Sequence, residues 1–309
     1  MDCFCRRQLF APLLVLAAPA RAGQPGPRPA SDRIRDAVSA FSGAVSLFAK
    51  NIETGGTYGI RENERVRTAS TIKVAVMAAV FAAVAEGRAR WHEELLLREA
   101  DKVSGSGVIR ELSAGVRLPL RDLVRLMIVV SDNTATNLLL DRFGGDAVNR
   151  EMDKLGFRQT RVLRKILGSG RDVMPVPSGV TEAGRVPENQ RFGAGVSTPR
   201  EMVLFLEKIE RGLVVSAEAS REMIEILKRQ QYKDGIGRKL GDLAVASKSG
   251  ALDRLRSDVG IVYAPGGPLA IAITCDELPE VDYSADNVGN IFISKLTGVL
   301  LEELLPQAR

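Results

Sequence analysis

Apolar and polar residues alternate near both ends of the chain, whereas the middle of the chain repeats its apolar residues at helical spacing. Alternation is typical of strands that bury one face of a sheet. An amphipathic helix to about Phe41, capped by Ser31 or Asp32, and another over residues 287–305 lie outside these strands. We therefore expect one five-stranded antiparallel sheet flanked by terminal helices. Its strands are predicted over residues 44–50, 57–60, 243–248, 259–263 and 269–275.

The middle of the chain is predicted to be helical. An Ala- and Val-rich run from Ser70 to Glu86 is apolar nearly all round, as expected of a helix buried in the centre of a domain. Residues 165–198 differ, because they are rich in Gly, Pro, Ser and Val and show no sustained period. A structureless stretch of this length inside a domain is usually functional. Further helices are predicted over residues 118–130, 134–143, 199–211 and 216–231.

These patterns together predict an α/β fold of the α+β type, organised in two interleaved domains. An α/β domain comprises residues 31–64 and 236–309, so that its sheet is built from both ends of the chain. An all-helical domain, residues 65–235, is inserted between the two halves and contains the long loop over residues 165–198.

The first 22 residues are typical of an export signal. Arg6 and Arg7 precede an apolar run over residues 9–18, and Ala20-Arg21-Ala22 offers a cleavage site between small residues. Residues 23–30 are rich in Pro and Gly and predict a flexible leader. The protein is therefore expected to be exported, either periplasmic or secreted, and to keep only Cys275 after cleavage, which excludes an internal disulfide. No segment has the length of apolar sequence that would predict a membrane span.

Composition excludes several other classes of protein. The chain of 309 residues is 45% hydrophobic and 26% charged, which excludes wholesale disorder. Its formal charge of +5 is spread without blocks of like charge, so a nucleic-acid partner is not expected. His92 is the single histidine, and we interpret it as structural. Zinc sites that need two or three imidazoles are thereby excluded, and neither a metal nor another cofactor is predicted.

The first candidate for chemistry is Ser70-Thr71-Ile72-Lys73, at the start of the buried helix. A spacing of three residues puts Ser70 and Lys73 on one helix face. Serine is a poor nucleophile at neutral pH, and a lysine partly desolvated in an apolar helix can have a pKa low enough to act as its base. The helix N-terminus also directs an N–H towards an oxyanion formed there. The same four residues would also be expected of a helix cap followed by a surface lysine.

Two further motifs supply the other groups that acyl transfer needs. Ser131-Asp132-Asn133 lies between two apolar helices; helix capping alone would explain Asp132, while a hydroxyl and a carboxamide beside an active serine could relay a proton and bind a substrate amide. Lys248-Ser249-Gly250 lies on a predicted strand, where a lysine and a hydroxyl can bind a carboxylate and a glycine lets a ligand approach. Ala251, the next residue, can supply a second oxyanion N–H.

In this order, the three motifs resemble those of the class A β-lactamases and of the penicillin-binding DD-peptidases that share their fold. The resemblance covers nearly the whole mature chain. It implies that Ser70 is acylated, that Lys73 is its base and that Ser131 passes a proton to the leaving nitrogen. It also implies that Asn133 binds the substrate side-chain amide, while Lys248 and Ser249 hold the substrate carboxylate. The family commonly adds an arginine there, for which the candidates are Arg254, Arg256 and Arg238.

The chain departs from the class A pattern on the long loop. Residues 160–164 match the approach to the loop, but the place of the glutamate that activates the deacylating water holds Lys165-Ile166-Leu167. Glu182 and Glu188 lie further along, either as replacements for that base or as solvated loop residues. Loss of a general base typically costs about 10²–10⁴-fold in rate, so hydrolysis of an acyl-enzyme is in doubt.

Three functions remain open from the sequence. The first is a β-lactamase-like serine hydrolase that opens the β-lactam ring through an acyl-Ser70 intermediate. The second is a DD-carboxypeptidase or transpeptidase acting on cell-wall D-Ala-D-Ala peptides, which the missing glutamate favours. The third is a non-catalytic β-lactam sensor, in which loss of Lys73 or Ser131 would be expected, although both are present. In each case the expected partner is a small molecule and the protein is expected to be a monomer.

Overall fold

The computed structural model describes Met1, residues 29–168 and residues 179–305. The predicted signal peptide, most of the leader and residues 169–178 of the long loop lie outside the described residues. Strands and helices alternate in groups along the chain. In chain order the strands are β1 (Ala44–Asn51), β2 (Thr57–Ile60), β3 (Val66–Arg67), β4 (Glu94–Leu96), β5 (Arg117–Pro119), β6 (Arg161–Val162), β7 (Gly195–Ser197), β8 (Ala244–Leu252), β9 (Leu255–Ala264) and β10 (Gly267–Asp276).

The helices of the described residues include both terminal helices and the predicted central ones. They are α1 (Ala30–Ser39), α2 (Lys73–Ala85), α3 (Leu120–Val129), α4 (Asn133–Phe143), α5 (Gly145–Lys154), α6 (Glu182–Arg185), α7 (Pro199–Glu210), α8 (Ala217–Lys228) and α9 (Val288–Leu304). A 3-10 turn over Ala69–Ile72 runs directly into α2. None of these helices combines the length and the apolar character that crossing a membrane requires.

The predicted five-stranded antiparallel sheet is confirmed, in the order β2-β1-β10-β9-β8. Strand β1 pairs along its whole length with β10, from Ala44 opposite Asp276 to Asn51 opposite Leu269, so the two ends of the chain meet in the middle of the sheet. Strand β8 is longer than predicted because pairing with β9 continues to the turn at Leu252 and Leu255. The Ser-Gly-Ala sequence there gives no alternation by which to predict that continuation.

Two separate hydrophobic cores lie against the two faces of this sheet. On one face, Leu47 and Ile271 pack with Ile34 of α1 and Phe292 of α9. On the other face, Phe48 belongs to the larger core that contains the central helix α2. Because β1 alternates between the two cores at Leu47 and Phe48, both of its faces are buried, and the sheet is held between the terminal helices and the helical segment.

Several elements differ from those predicted. Helix α1 begins directly after Pro29 and no side chain of the described residues caps it, so the predicted cap at Ser31 or Asp32 is wrong. Gly144, at φ +82°, ends α4 as expected, but the chain then forms α5, which was not predicted. The segment 65–235, predicted to be all-helical, also contains β3 to β7. Residues 179–198 of the long loop contain α6 and β7, so this part of the loop is structured. The division into two domains stays a prediction.

Candidate active site

The predicted nucleophile lies on the 3-10 turn that precedes α2. Ser70 is half-buried, and its hydroxyl makes no hydrogen bond to any residue that the structure describes. The preceding residue, Ala69, has a φ of +48°, a conformation that costs a non-glycine residue about 1–3 kcal/mol and is concentrated at functional sites. Strained backbone thus fixes the direction in which the turn presents Ser70.

Lys73 is fully buried at the first position of α2. Its Nζ donates hydrogen bonds to the Ser131 carbonyl oxygen at 2.6 Å, to Asn133 Oδ1 at 2.9 Å and to Ser131 Oγ at 3.2 Å. Burial holds the pKa of Lys73 well below the ordinary lysine value, the nearby Lys248 ammonium lowers it further and Asp132 opposes the shift. These effects favour the neutral amine, the form that can accept a proton, three residues after Ser70.

Ser131 joins the first motif to the third. Its φ of +55° places it in the left-handed region, and its side chain is 4% exposed. Its Oγ also lies 3.0 Å from Nζ of Lys248, which donates to it. Lys248 is completely buried and donates a second hydrogen bond, of 2.7 Å, to the carbonyl oxygen of Ser249. One hydroxyl therefore bridges two buried lysines from different parts of the sequence.

Asp132 and Asn133 hold the loop that carries Ser131. Asp132 caps α4 through the Ala135 N–H at 2.8 Å, and its other oxygen accepts from the N–H groups of Val108 and Ile109 at 2.6 and 2.8 Å. Asp132 thus acts as a helix cap, and it is 1% exposed. The Asn133 amide is also engaged, because Nδ2 donates to the Ser104 carbonyl oxygen at 2.9 Å while Oδ1 accepts from Lys73. The second Nδ2 hydrogen makes no hydrogen bond to the residues that the structure describes.

The third motif lies on β8, the edge strand nearest to the Ser70 turn. A Cβ atom at Gly250 would lie 2.8 Å from the Thr68 carbonyl oxygen and 3.0 Å from the Ser70 nitrogen. Only glycine lets the strand approach the turn this closely. Ser249 is half-buried and Ala251 is exposed, so both are accessible from solvent beside the buried Lys248.

A buried carboxylate behind this strand was missed from the sequence. Asp258 of β9 lies opposite Ser249 and is 2% exposed. Its Oδ2 accepts from the Ile236 N–H at 2.9 Å, while its Oδ1 has no partner among the described residues. Burial raises the pKa of Asp258 to about 7 and lowers the pKa of Lys248 to about 7, and each of the two charges opposes the shift of the other. An acidic residue directly before the apolar run over residues 259–263 was the available signal.

The long loop brings Ile166, rather than a carboxylate, beside α4. Asn137 holds it from both sides, with its Nδ2 donating to the Ile166 carbonyl oxygen at 2.8 Å and its Oδ1 accepting from the Ile166 N–H at 2.9 Å. Lys165 forms an ion pair with Asp141. Glu182 and Glu188 are both exposed, and neither side chain has a hydrogen bond or an ion pair to the Ser70, Lys73 and Ser131 group in the described parts of the chain. Asn137 was not singled out from the sequence.

The three candidate arginines lie in different environments. Arg238 pairs with Asp286 and donates to the Ala285 carbonyl oxygen at 2.6 Å. Arg256 is 3% exposed and its guanidinium donates to backbone carbonyl groups, including those of Leu252 and Leu255. Arg254 is exposed on the β8–β9 turn. The hydrogen bonds of Arg238 and Arg256 in the described residues thus go to Asp286 and to backbone carbonyl groups rather than to Ser249, and His92 is exposed.

A sequence profile described as the β-lactamase enzyme family matches residues 29–304 of this chain. The chain belongs to that family. It is 32% identical to a β-lactamase from Sphaerobacter thermophilus of known structure, with a TM-score of 0.74 over 88% of this chain and 95% of that one. The family resemblance seen in the three motifs is thereby confirmed, and so is the fold.

The chain is also similar, at lower identity, to two further proteins. The chain is 28% identical over 227 residues to β-lactamase L2 of Stenotrophomonas maltophilia, a match that covers 72% of this chain and 65%, slightly less than two thirds, of that protein. The structure of PBP-A superimposes with a TM-score of 0.72 at 24% identity, covering 90% of this chain and 97% of PBP-A. That likeness concerns the fold alone.

Proposed function

We propose that the protein is an exported serine hydrolase that opens β-lactam rings through an acyl-Ser70 intermediate. The observation that carries this proposal is the position of Lys73, a completely buried amine with a lowered pKa three residues after Ser70 and hydrogen-bonded to Ser131. Family membership supports a hydrolase acting on small molecules. We also propose that residues 1–22 are removed as a signal peptide and that the protein acts as a monomer.

In the first step Lys73 acts as the general base. The Ser70 hydroxyl proton passes to Lys73 Nζ while Oγ attacks the carbonyl carbon of the ring. The C–N bond then breaks, and the leaving nitrogen receives a proton from Ser131 Oγ, which Lys73 restores. The 3.2 Å and 3.0 Å contacts of Ser131 Oγ with the two lysines support this relay. Base catalysis of this kind contributes about 10²–10⁴-fold in rate.

The remaining groups orient the substrate and stabilise the developing charge. The first N–H groups of a helix have no acceptor within it, so the Ser70 N–H, together with the Ala251 N–H on the edge of β8, can bind the oxyanion. Lys248 attracts the substrate carboxylate while Ser249 donates to it. Asn133 contributes its remaining Nδ2 hydrogen to the substrate amide. Arg254, the exposed candidate, is the arginine that stays available for the carboxylate.

The second candidate function is a DD-carboxypeptidase or transpeptidase acting on D-Ala-D-Ala peptides. Ile166 favours it, because an isoleucine cannot activate the water that a β-lactamase needs to release the penicilloyl group rapidly, whereas Lys73 and Ser131 still allow acylation. Both candidates share the acyl-Ser70 intermediate and differ in its lifetime.

The lifetime can be measured by intact mass spectrometry of the protein at intervals after mixing with benzylpenicillin. An adduct of the full penicillin mass that appears and decays over repeated turnovers is expected of a β-lactamase. A lasting adduct would identify a penicillin-binding peptidase. Ser70→Ala should abolish the adduct in either case while the protein stays folded; an adduct retained in that variant, or none in the wild type, would overturn the proposal.

A further inference from the structure

We propose that Arg256 is a positioning residue, which fixes the end of β8 by clamping the β8–β9 turn to the segment before α9. The proposal rests on the proposed function, because its importance depends on the Ala251 N–H of that strand end acting in the oxyanion site. It assigns Arg256 a role different from that of the carboxylate-binding arginine for which it was a candidate.

The guanidinium of Arg256 donates hydrogen bonds to both chain segments. Nη1 of Arg256 donates to the carbonyl oxygen atoms of Leu252 at 2.7 Å and Leu255 at 2.6 Å, the two residues that face each other where the β8–β9 turn begins and ends. Nη2 donates to the carbonyl oxygen of Asp282 in the segment before α9. An arginine fork has five N–H donors in fixed directions, so one buried side chain can tie two chain segments together.

A second set of contacts connects the same two segments. The Tyr283 ring covers the guanidinium, with its centroid 4.9 Å from Cζ of Arg256. The Tyr283 hydroxyl donates to Asp253 Oδ1, within the turn, at 2.7 Å. Arg256 and Tyr283 thus both hold the turn, through separate hydrogen bonds.

The segment that receives these contacts is itself anchored to α9. Asn287 caps α9 through the Gly289 N–H at 2.8 Å, and its Nδ2 donates to the Asp282 carbonyl oxygen at 2.8 Å. A Cβ atom at Gly289 would lie 3.0 Å from Cβ of Arg256, so a glycine at the start of α9 leaves room for the arginine. The clamp therefore connects the edge of the sheet to a helix of 17 residues.

The strand end needs such support because, within the part of the chain that the structure describes, β8 is paired on one side only. Its neighbour in the sheet is β9, and Ala251 lies directly opposite Arg256, one residue before the turn. Removal of one oxyanion donor typically costs about 10²–10³-fold in rate, and a displacement of 1 Å can cost about 10²-fold. Small movements of the turn should therefore change the rate of acylation more than the affinity for substrate.

The test compares Arg256→Met with Arg61→Met in stopped-flow acylation by benzylpenicillin. Arg61 is the matched control, since its Nε also donates to a backbone carbonyl oxygen, that of Val45 at 2.8 Å, but near the opposite edge of the sheet. Arg256→Met should lower the limiting acylation rate about 10–100-fold and leave the substrate dissociation constant within about twofold, while Arg61→Met changes neither. Arg256→Lys should recover part of the rate.

Two measurements keep the test decisive if Arg256→Met folds poorly or the enzyme proves inactive. Tyr283→Phe removes only the hydroxyl bonded to Asp253 and should lower the limiting rate by a smaller factor. Hydrogen exchange of the amides of residues 250–255 should accelerate in Arg256→Met and not in Arg61→Met, whether or not the protein acylates. A raised dissociation constant with an unchanged limiting rate, or unchanged exchange, would overturn the proposal. Absence of any adduct in the wild type would overturn the proposed function instead.

Discussion

Ser131 Oγ is the atom at which two buried lysines meet, although Lys73 and Lys248 lie far apart in the sequence. Two ammonium groups on one hydroxyl would repel each other strongly in a buried site of low dielectric. Burial lowers the pKa of both lysines, which favours their neutral forms and reduces this repulsion. In the proposed mechanism Lys73 must be neutral to accept a proton, whereas Lys248 must be charged to attract a carboxylate.

The two requirements lead to a prediction on pH. With its pKa at about 7, Lys248 loses its charge as the pH rises above 7, so the kcat/KM for acylation by a penicillin should fall on the alkaline side. In Asp258→Asn this fall should begin at lower pH, because the carboxylate that raises the pKa of Lys248 is gone. A penicillin methyl ester is the control, since it has no carboxylate to bind. An alkaline fall of equal size with the ester would contradict this role of Lys248.

Gly250 gives a second prediction at the scale of one residue. Gly250→Ala should lower the acylation rate at least about 10-fold, because the new methyl group would meet the Thr68 carbonyl oxygen and the Ser70 nitrogen and push β8 away from the turn. The matched control is Gly298→Ala in α9, where a Cβ atom has no neighbour within 4 Å. The rate of labelling by a fluorescent penicillin, measured for both variants, tests this prediction. Equal labelling rates would show that the close approach of β8 to the turn is not needed for acylation.

At the scale of elements, the sequence predicted the strands and helices that carry the three motifs, because each contains a long apolar run or an alternating one. It did not predict α5 or α6. Helix α6 has four residues, which is too short to show a period, and α5 follows a Gly-Gly pair that indicates only an end. The role proposed for Arg256 could not be predicted from the sequence either, because the partners of Arg256 are backbone carbonyl groups, which every residue has. The same holds for the clamp of Asn137 on Ile166.

The loop around Ile166 is the element that decides the fate of the acyl group. If no other group activates water, deacylation should be the slow step and a burst of one equivalent should precede steady-state hydrolysis. Glu182→Gln and Glu188→Gln should then leave the deacylation rate unchanged, since both side chains are exposed and without contact to the site in the described residues. The measurement is the decay of the adduct mass. A loss of about 10²-fold in either variant would identify that glutamate as the base.

At the scale of the whole molecule, Asp258 makes folding stability depend on pH. Its pKa is about 7 in the folded protein, against an ordinary value of 3.8, so between these values the unfolded chain releases a proton that the folded protein keeps. The contribution to the free energy of unfolding is therefore fully present below about pH 4 and is lost as the pH rises towards 7, at up to about 1.4 kcal/mol per pH unit.

Asp258→Asn has no such titration, so its free energy of unfolding relative to the wild type should rise between pH 4 and pH 7. Urea denaturation at a series of pH values measures this difference. Asp242→Asn, at an exposed position just before β8, is the control and should run parallel to the wild type. If the curve for Asp258→Asn also ran parallel to that of the wild type, the Asp258 carboxyl group would be ionised in the folded wild-type protein.

The pairing of β1 with β10 determines how late in synthesis the sheet can be completed. Val45 lies opposite Cys275, about 230 residues later in the chain. At a synthesis rate of about 5–20 residues per second, β1 leaves the ribosome on the order of ten seconds or more before its partner exists. During that interval β1 can form its hairpin with β2, but its other edge stays bare and offers a template for pairing with other chains. The sheet therefore closes only after translation, and a newly made chain has to be shielded until its last strand emerges.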